Sequence, residues 1–167
     1  MRAVPALLVL LLGGACDGAS RSEQPLLLDA TIAFPPRDTV RFSLPATTHR
    51  CTDGRAILLE AVSPEGSGVL VLLRFRDSLV SASFPVVAPG DTTAPGAVVT
   101  VRYLIRDVSH GFFFDSGAVQ LRRKAGRLAG HIEGSGIETG IHTPTRIEYH
   151  DVPLPLPTDT VSCAFVP

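Results

Sequence analysis

Two pairs of potential metal ligands occur at alternate positions in the last third of the chain. His131 and Glu133 form one pair, and Glu148 and His150 form the other. Because residues two apart share a face of a β-strand, each pair would project an imidazole and a carboxylate from the same side. If the two strands lie side by side, the four groups could converge on a metal ion.

The same alternation also fits a plain solvated face. Ile132, Ile147 and Tyr149 occupy the intervening positions and would point into a core, which leaves the polar residues facing water. Arg146 would then be available to pair with Glu133 across the two strands. Both interpretations predict two half-buried strands, and they differ only in what the outer face binds.

A further candidate for chemistry is the segment 113–118, which reads Phe-Phe-Asp-Ser-Gly-Ala. These six residues resemble the signature of aspartic proteases, in which Asp115 would be a catalytic carboxylate. That chemistry requires two carboxylates that share a proton, and the chain contains one such segment, so the resemblance implies a homodimer. The alternative is a turn between two apolar runs, because Asp, Ser and Gly are common turn residues.

Other classes of function lack support in the composition and motifs. The two Gly-Ser-Gly segments do not have the Gly-x-Ser-x-Gly spacing of a nucleophile elbow, and no phosphate loop or dinucleotide fingerprint is present, so we expect no cofactor. The formal net charge is −1, and nothing in it would attract nucleic acid. With no Trp and two Tyr, a carbohydrate platform of stacked aromatic rings is difficult to build.

The amino-terminal segment has the pattern of an export signal. Arg2 precedes the almost wholly apolar residues 3–12, and the small residues Gly13, Gly14 and Ala15 follow. The apolar run is too short for a lasting membrane span, which needs about twenty residues. The small side chains favour cleavage after Ala15, directly before Cys16.

A signal that ends in small residues before a cysteine resembles that of a bacterial lipoprotein, in which the cysteine is lipidated and becomes the first residue of the mature chain. The resemblance implies that Cys16 carries lipid and anchors the protein to a membrane of the cell envelope. The alternative is an ordinary secretory signal cut at the same bond, which would leave Cys16 as a free thiol.

The cysteine count fits the lipoprotein interpretation. The chain has three cysteines, and if Cys16 carries lipid then Cys51 and Cys163 remain as one pair in an oxidising compartment. We therefore predict a disulfide between them, with two buried thiols as the alternative.

We predict three regions: a signal peptide at residues 1–15, the lipidated Cys16 and a flexible tether at 16–25, and one β-rich domain at 26–167. The chain contains 15 Gly and 14 Pro between short Val- and Leu-rich runs, which is typical of strands joined by turns. The predicted fold is an all-β, mostly antiparallel sandwich or small barrel of about eight to ten strands.

Within this domain, several segments have a predicted role in the sheet. The run 69–73 is apolar throughout and should be covered on both faces, residues 99–107 alternate as a half-buried strand, and 119–134 should form a hairpin. Residues 79–87 should be a strand, whereas 47–54 and 134–143 should be connections.

The expected function is that of a membrane-tethered envelope protein with a non-enzymatic binding or structural module, whose partners are the membrane and an envelope protein. The domain would lie in the periplasm or outside the cell. One alternative is a hydrolase or metal-binding protein that uses Asp115 or the His131, Glu133, Glu148 and His150 face. A carrier of small apolar ligands is a further alternative if a barrel interior is hollow.

Overall fold

The computed structural model of the protein describes residues 27–34 and 38–164. The predicted signal peptide, the tether and Cys16 lie outside the described residues. The described part contains eleven strands: β1 (Leu27–Phe34), β2 (Asp38–Pro45), β3 (Thr47–Cys51), β4 (Ala56–Val62), β5 (Gly68–Arg74), β6 (Ala82–Pro85), β7 (Gly96–Ile105), β8 (Val108–Lys124), β9 (Arg127–Glu138), β10 (Ile141–Pro153) and β11 (Thr160–Val161). None of the described residues belongs to a helix that could cross a membrane.

Ten strands follow one another in a single hydrogen-bonded order, β11-β3-β4-β5-β7-β8-β9-β10-β1-β2, and β6 pairs with β8 beside this path. The strand pairs are antiparallel except for β11 with β3. The sheet curls into an open half-barrel. The prediction of an all-β, mostly antiparallel fold is therefore confirmed.

The sheet has two halves: β11, β3, β4, β5, β7 and the start of β8 form one, and the rest of β8 with β6, β9, β10, β1 and β2 forms the other. The chain passes from one half to the other at two places, and the curl depends on them. β8 pairs with β7 through residues 108–113 and with β6 through residues 118–121, and its register against β9 shifts between Phe114 and Ser116. β2 and β3 are separated by one residue, the buried Ala46, although they lie near opposite ends of the strand order. These two transitions bring the halves of the sheet around a common interior.

The interior is filled by large side chains from both halves of the sheet. Tyr103 and Leu73 from one half pack in the same cluster as Phe84, Phe114, Tyr149 and Ile147 from the other, and each is at most 1% exposed. The hollow interior that would favour a carrier of apolar ligands is therefore not what the described residues form.

The inward rows follow the alternation that the sequence predicted. In β5, Val69, Val71 and Leu73 point to the main core, and Leu72 is buried on the opposite face, so the prediction that this run is covered on both sides is confirmed. In the β8–β9 hairpin, Val119, Leu121, Leu128 and Ile132 are buried, and the turn falls at Ala125 and Gly126, as expected.

The Cys51–Cys163 disulfide is present and covers the outer face of the β4–β5–β7 region. Cys51 packs there with Ala56, Leu72 and Val98, while Cys163 and Val87 lie over them. The two cysteines are 112 residues apart, and closing a loop of that size stabilises the fold by about 4 to 5 kcal/mol in the chain-entropy model. The predicted pairing is confirmed, and the alternative of two buried thiols is wrong.

Three predicted boundaries are wrong. Residues 47–54 were expected to be a connection, but Thr47–Cys51 is β3, a mostly polar strand that pairs with β4 on one side and β11 on the other. The strand expected at 79–87 is reduced to Ala82–Pro85, because only this part pairs with β8. The connection expected at 134–143 is instead the end of β9, a turn at Thr139 and Gly140, and the start of β10.

The glycines of β9 explain why the last of these errors arose. A Cβ at Gly134 would lie 2.6 Å from the Phe114 ring, and one at Gly136 would lie 2.4 Å from the Phe112 ring. Rings on the neighbouring strand therefore fill the space that side chains of β9 would otherwise occupy. A Gly-rich segment that lacks an apolar pattern of its own can still be a central strand when its neighbours supply the core.

Candidate functional site

The predicted pairing of the two His and Glu strands is present. β9 and β10 are antiparallel neighbours, with Glu148 opposite His131 and Arg146 opposite Glu133. Ile132, Ile147 and Tyr149 point into the core, as predicted, so the polar residues lie on the outer face.

Arg146 lies between the two carboxylates of this face. Its Nη1 donates to Glu133, and its Nε and Nη2 donate to Glu148 Oε1 at 3.0 and 2.8 Å. The hydrogen bond from Arg146, together with its positive charge, lowers the pKa of Glu148. His150 Nε2 lies 3.8 Å from Glu148 Oε2. The two carboxylates thus bind the Arg146 guanidinium group and do not converge on a common position where a metal ion could lie.

This geometry matches the solvated-face interpretation. No group of three or more His, Cys, Asp or Glu side chains within residues 27–34 and 38–164 is arranged to hold a metal ion. The side chains of Arg146, Glu133 and Glu148 are 57%, 56% and 42% exposed, so the network contributes little to stability.

Asp115 lies within strand β8, at the register shift between Phe114 and Ser116. The interpretation of residues 115–117 as a turn between separate strands is therefore wrong, and the segment is an irregularity inside one strand. Gly117 has φ +120°, and a Cβ there would lie 2.2 Å from the Glu133 carbonyl oxygen, so a glycine is required for the two strands to approach.

The Asp115 carboxylate is exposed, and it contacts a hydroxyl and an imidazole. Ser116 Oγ donates to its Oδ1 at 2.9 Å, and His142 Nδ1 lies 3.8 Å from its Oδ2. The shared proton of an aspartic protease requires a second carboxylate. Among the described residues, the contacts of Asp115 do not include one.

A buried polar cluster that the sequence analysis did not predict joins β7, β8 and β9. Glu138 is 6% exposed, and its carboxylate accepts hydrogen bonds from three groups. These groups are the Tyr103 hydroxyl, His110 Nδ1 at 2.7 Å and the Gly111 amide at 3.3 Å. A buried carboxylate needs such partners, since its desolvation is otherwise costly.

Tyr103 and His110 are also stacked, with their ring centroids 5.4 Å apart. Burial raises the pKa of Tyr103, and the hydrogen bond to Glu138 raises it further. The cluster fastens the β7–β8 hairpin to the end of β9. Because the Glu138 carboxylate already accepts hydrogen bonds from three groups of the fold, it fits a structural role better than a role in proton transfer.

The alternation of inward and outward residues along β9 indicates that Glu138 is buried. Leu128, Ile132 and Glu138 have the same parity and therefore share the inward face. Gly134 and Gly136 occupy the inward positions before Glu138, so the apolar alternation is interrupted there and the sequence pattern predicts a connection.

The buried tyrosines predict a loss of stability at alkaline pH. Tyr103 and Tyr149 are fully buried, and burial raises the pKa of each above its ordinary value of 10.0. The unfolded chain therefore releases these protons first, so the free energy of unfolding should hold below about pH 10 and fall above it. Each tyrosine should contribute a slope of up to about 1.4 kcal/mol per pH unit.

Urea unfolding between neutral pH and pH 11 would measure this slope (about 1.4 kcal/mol per pH unit per tyrosine). We expect Tyr103→Phe to remove about half of the alkaline slope and Tyr149→Phe to remove the other half. Equal slopes in the wild-type protein and in both variants would contradict the role given to the two hydroxyls. The measurement is simple to interpret, because Tyr and Lys titrate near pH 10 and the chain has two tyrosines and one lysine.

Comparisons with known proteins assign no family to this chain. No family model matches the sequence. No curated protein matches it, and no solved structure matches it.

Proposed function

We propose that this chain is an exported envelope protein, anchored to a membrane through lipid on Cys16, whose β domain is a non-enzymatic binding or structural module. The Cys51–Cys163 disulfide is the observation that carries the proposal. Structural disulfides persist in oxidising compartments, and this one leaves Cys16 as the single cysteine without a cysteine partner. A lipid on Cys16 accounts for that residue and for the small residues before it.

The state of the candidate chemical groups supports a non-enzymatic role. Asp115 contacts Ser116 and His142, and Glu133 and Glu148 are paired with Arg146. Glu138 has its hydrogen bonds filled within the fold. The hydrolase and metal-binding alternatives gain no specific observation from these contacts.

The position of the first strand supports an anchored orientation. In the antiparallel order of β8, β9, β10 and β1, the start of β1 and the β8–β9 turn lie at the same end of the sheet. Leu27 is opposite His150, and Arg127 is opposite Pro153, a few residues further along β10. A tether that leads into β1 would therefore bring this turn toward the membrane.

The turn that faces this way carries a cluster of positive charge. Arg122, Arg123, Lys124 and Arg127 are all exposed, and they fall within six consecutive residues. Arg127 Nη1 donates to the Asp151 carbonyl oxygen at 2.8 Å. A lipid chain combined with a basic patch gives firmer attachment to anionic membranes than either signal alone.

Fractionation of a bacterial host that expresses the full chain would test the anchor. We expect the wild-type protein in the membrane fraction, released by detergent and not by salt, and the Cys16→Ser variant in the soluble exported fraction. The double variant Cys51→Ser/Cys163→Ser is the matched control, and it should stay with the membrane because those cysteines carry no lipid. A Cys16→Ser protein that remains in the membrane fraction would contradict the proposal.

Vesicle cosedimentation would test the basic turn separately from the anchor. We expect Cys16→Ser protein to bind phosphatidylglycerol vesicles at low salt. Arg122→Gln/Lys124→Gln should weaken this binding on the order of thirtyfold, at about 1 kcal/mol for each cation. Arg102→Gln/Arg106→Gln removes the same charge near the opposite end of β8 and should have a smaller effect. Equal losses in the two double variants would show that the turn does not face the membrane.

A further inference from the structure

A cleft lies where β4 begins, β5 ends and β7 begins. It has a volume of about 410 Å³ and is bordered by the segments that join these strands to their neighbours. Three arginines line it: Arg55, Arg74 and Arg76. Three guanidinium groups around one small cleft form an unusual concentration of charge in a chain whose net charge is −1.

Arg74 is held in the cleft with few partners. Its side chain is 19% exposed, and its ion pair with Asp53 is long, at 3.9 Å between Nη1 and Oδ2. Its buried Nε has no hydrogen-bond acceptor among the described residues. A guanidinium group that is mostly removed from water and lacks good acceptors favours an anion that can reach its terminal nitrogens.

The other arginines leave donors available on the same cleft. Arg76 Nε donates to the Ala94 carbonyl oxygen at 2.9 Å, which fixes the side chain and leaves its terminal nitrogens without a recorded partner among the described residues. Arg55 contributes a third guanidinium group, and its amide donates to Asp53 Oδ1 at 3.0 Å.

The acidic residues limit the charge that the cleft can accept. Asp53 and Asp77 line it together with the three arginines, which leaves a formal charge of +1. Hydrogen bonds with Thr93 lower the pKa of the nearby Asp91, and the charge of Arg74 lowers it further. The charge of the lining alone would be balanced by a monoanion, whereas a dianion would be repelled by the nearby carboxylates, including that of Asp91.

A second cleft of about 600 Å³ adjoins the first and is mainly apolar. Its apolar lining includes Phe75, Val80, Phe84 and Pro95. The two clefts share Phe75, Arg76 and Asp77, so they meet at the segment that follows β5. A charged cleft and a mainly apolar cleft therefore adjoin each other at this segment.

Residues 79–81, which lie beside the apolar cleft, are hydrogen-bonded to Arg123 of the basic turn. Arg123 Nη1 donates to the Leu79 carbonyl oxygen at 3.0 Å, and the Arg123 amide donates to Ser81 Oγ at 2.9 Å. The apolar cleft is thus close to the end of the sheet at which β1 begins.

We propose that the joined clefts bind a small organic carboxylate that has an apolar body. Its carboxylate would receive hydrogen bonds from the terminal nitrogens of Arg74 and Arg76, and its apolar body would lie on Phe75, Val80 and Pro95. Arginine forks match the shape of a carboxylate, and the single negative charge balances the lining. This inference rests on the proposal that the domain is a binding module and names the class of ligand. It does not depend on lipid at Cys16.

Binding of octanoate to the full-length Cys16→Ser protein, which needs no detergent, would test the proposal. Titration followed by amide NMR shifts should locate octanoate at residues 74–84 and 94–96. Acetate lacks the apolar body and octanol lacks the charge, so each should bind at least about tenfold more weakly. Octanol or inorganic phosphate binding as tightly as octanoate, or shifts that map elsewhere, would overturn the proposal.

Variants at the two ends of the clefts sharpen the test. Arg74→Gln should weaken octanoate binding by about tenfold or more, and Val80→Asp should do the same by placing a charge in the apolar part. Val80 is 55% exposed, so Val80→Asp should leave the core intact. This variant therefore tests the proposal even if Arg74→Gln disturbs folding. Arg41→Gln, which removes an exposed cation on β2 and outside the clefts, should bind octanoate like the parent protein. Unchanged affinity in a folded Arg74→Gln protein or in Val80→Asp would contradict the assignment.

Discussion

The Cys51–Cys163 disulfide is the constraint on which both the fold and its proposed location depend. It holds the segment after β11 against the outer face of β4, β5 and β7, where Leu72 and Val98 would otherwise face water. The same bond supports the proposal of an oxidising compartment and pairs two of the three cysteines with each other, which leaves Cys16 for the proposed lipid. One covalent link therefore connects the packing of the sheet to the proposal that the chain is exported and anchored.

The architecture places the proposed functional surfaces at one end of the curled sheet. The start of β1, the basic β8–β9 turn and the apolar cleft lie at this end, and Arg123 contacts the segment that lines the cleft. An anchored domain in this orientation would present the cleft near the membrane. The opposite end carries the buried cluster around Glu138, which fastens one hairpin to the sheet.

The sequence predicts the parts of the fold in which each strand carries its own apolar pattern. The inward rows of β5 and the β8–β9 hairpin follow simple alternation, and the disulfide follows from the cysteine count. β3 was missed because it is polar, and the end of β9 was missed because Phe112 and Phe114 fill the space beside its glycines. The arginine cleft could not be predicted either, since Arg55 and Arg74 meet only through the register of β4 with β5.

The central claim joins two chemical states in one molecule: lipid on Cys16 and a bond between Cys51 and Cys163. Intact mass measurement of the protein purified from membranes tests both together. We expect a chain that begins at Cys16, carries the mass of lipid on that residue, and is lighter by two hydrogens than its fully reduced form. A chain with an unmodified Cys16, or one whose Cys51 and Cys163 both react with a thiol reagent before reduction, would contradict the account.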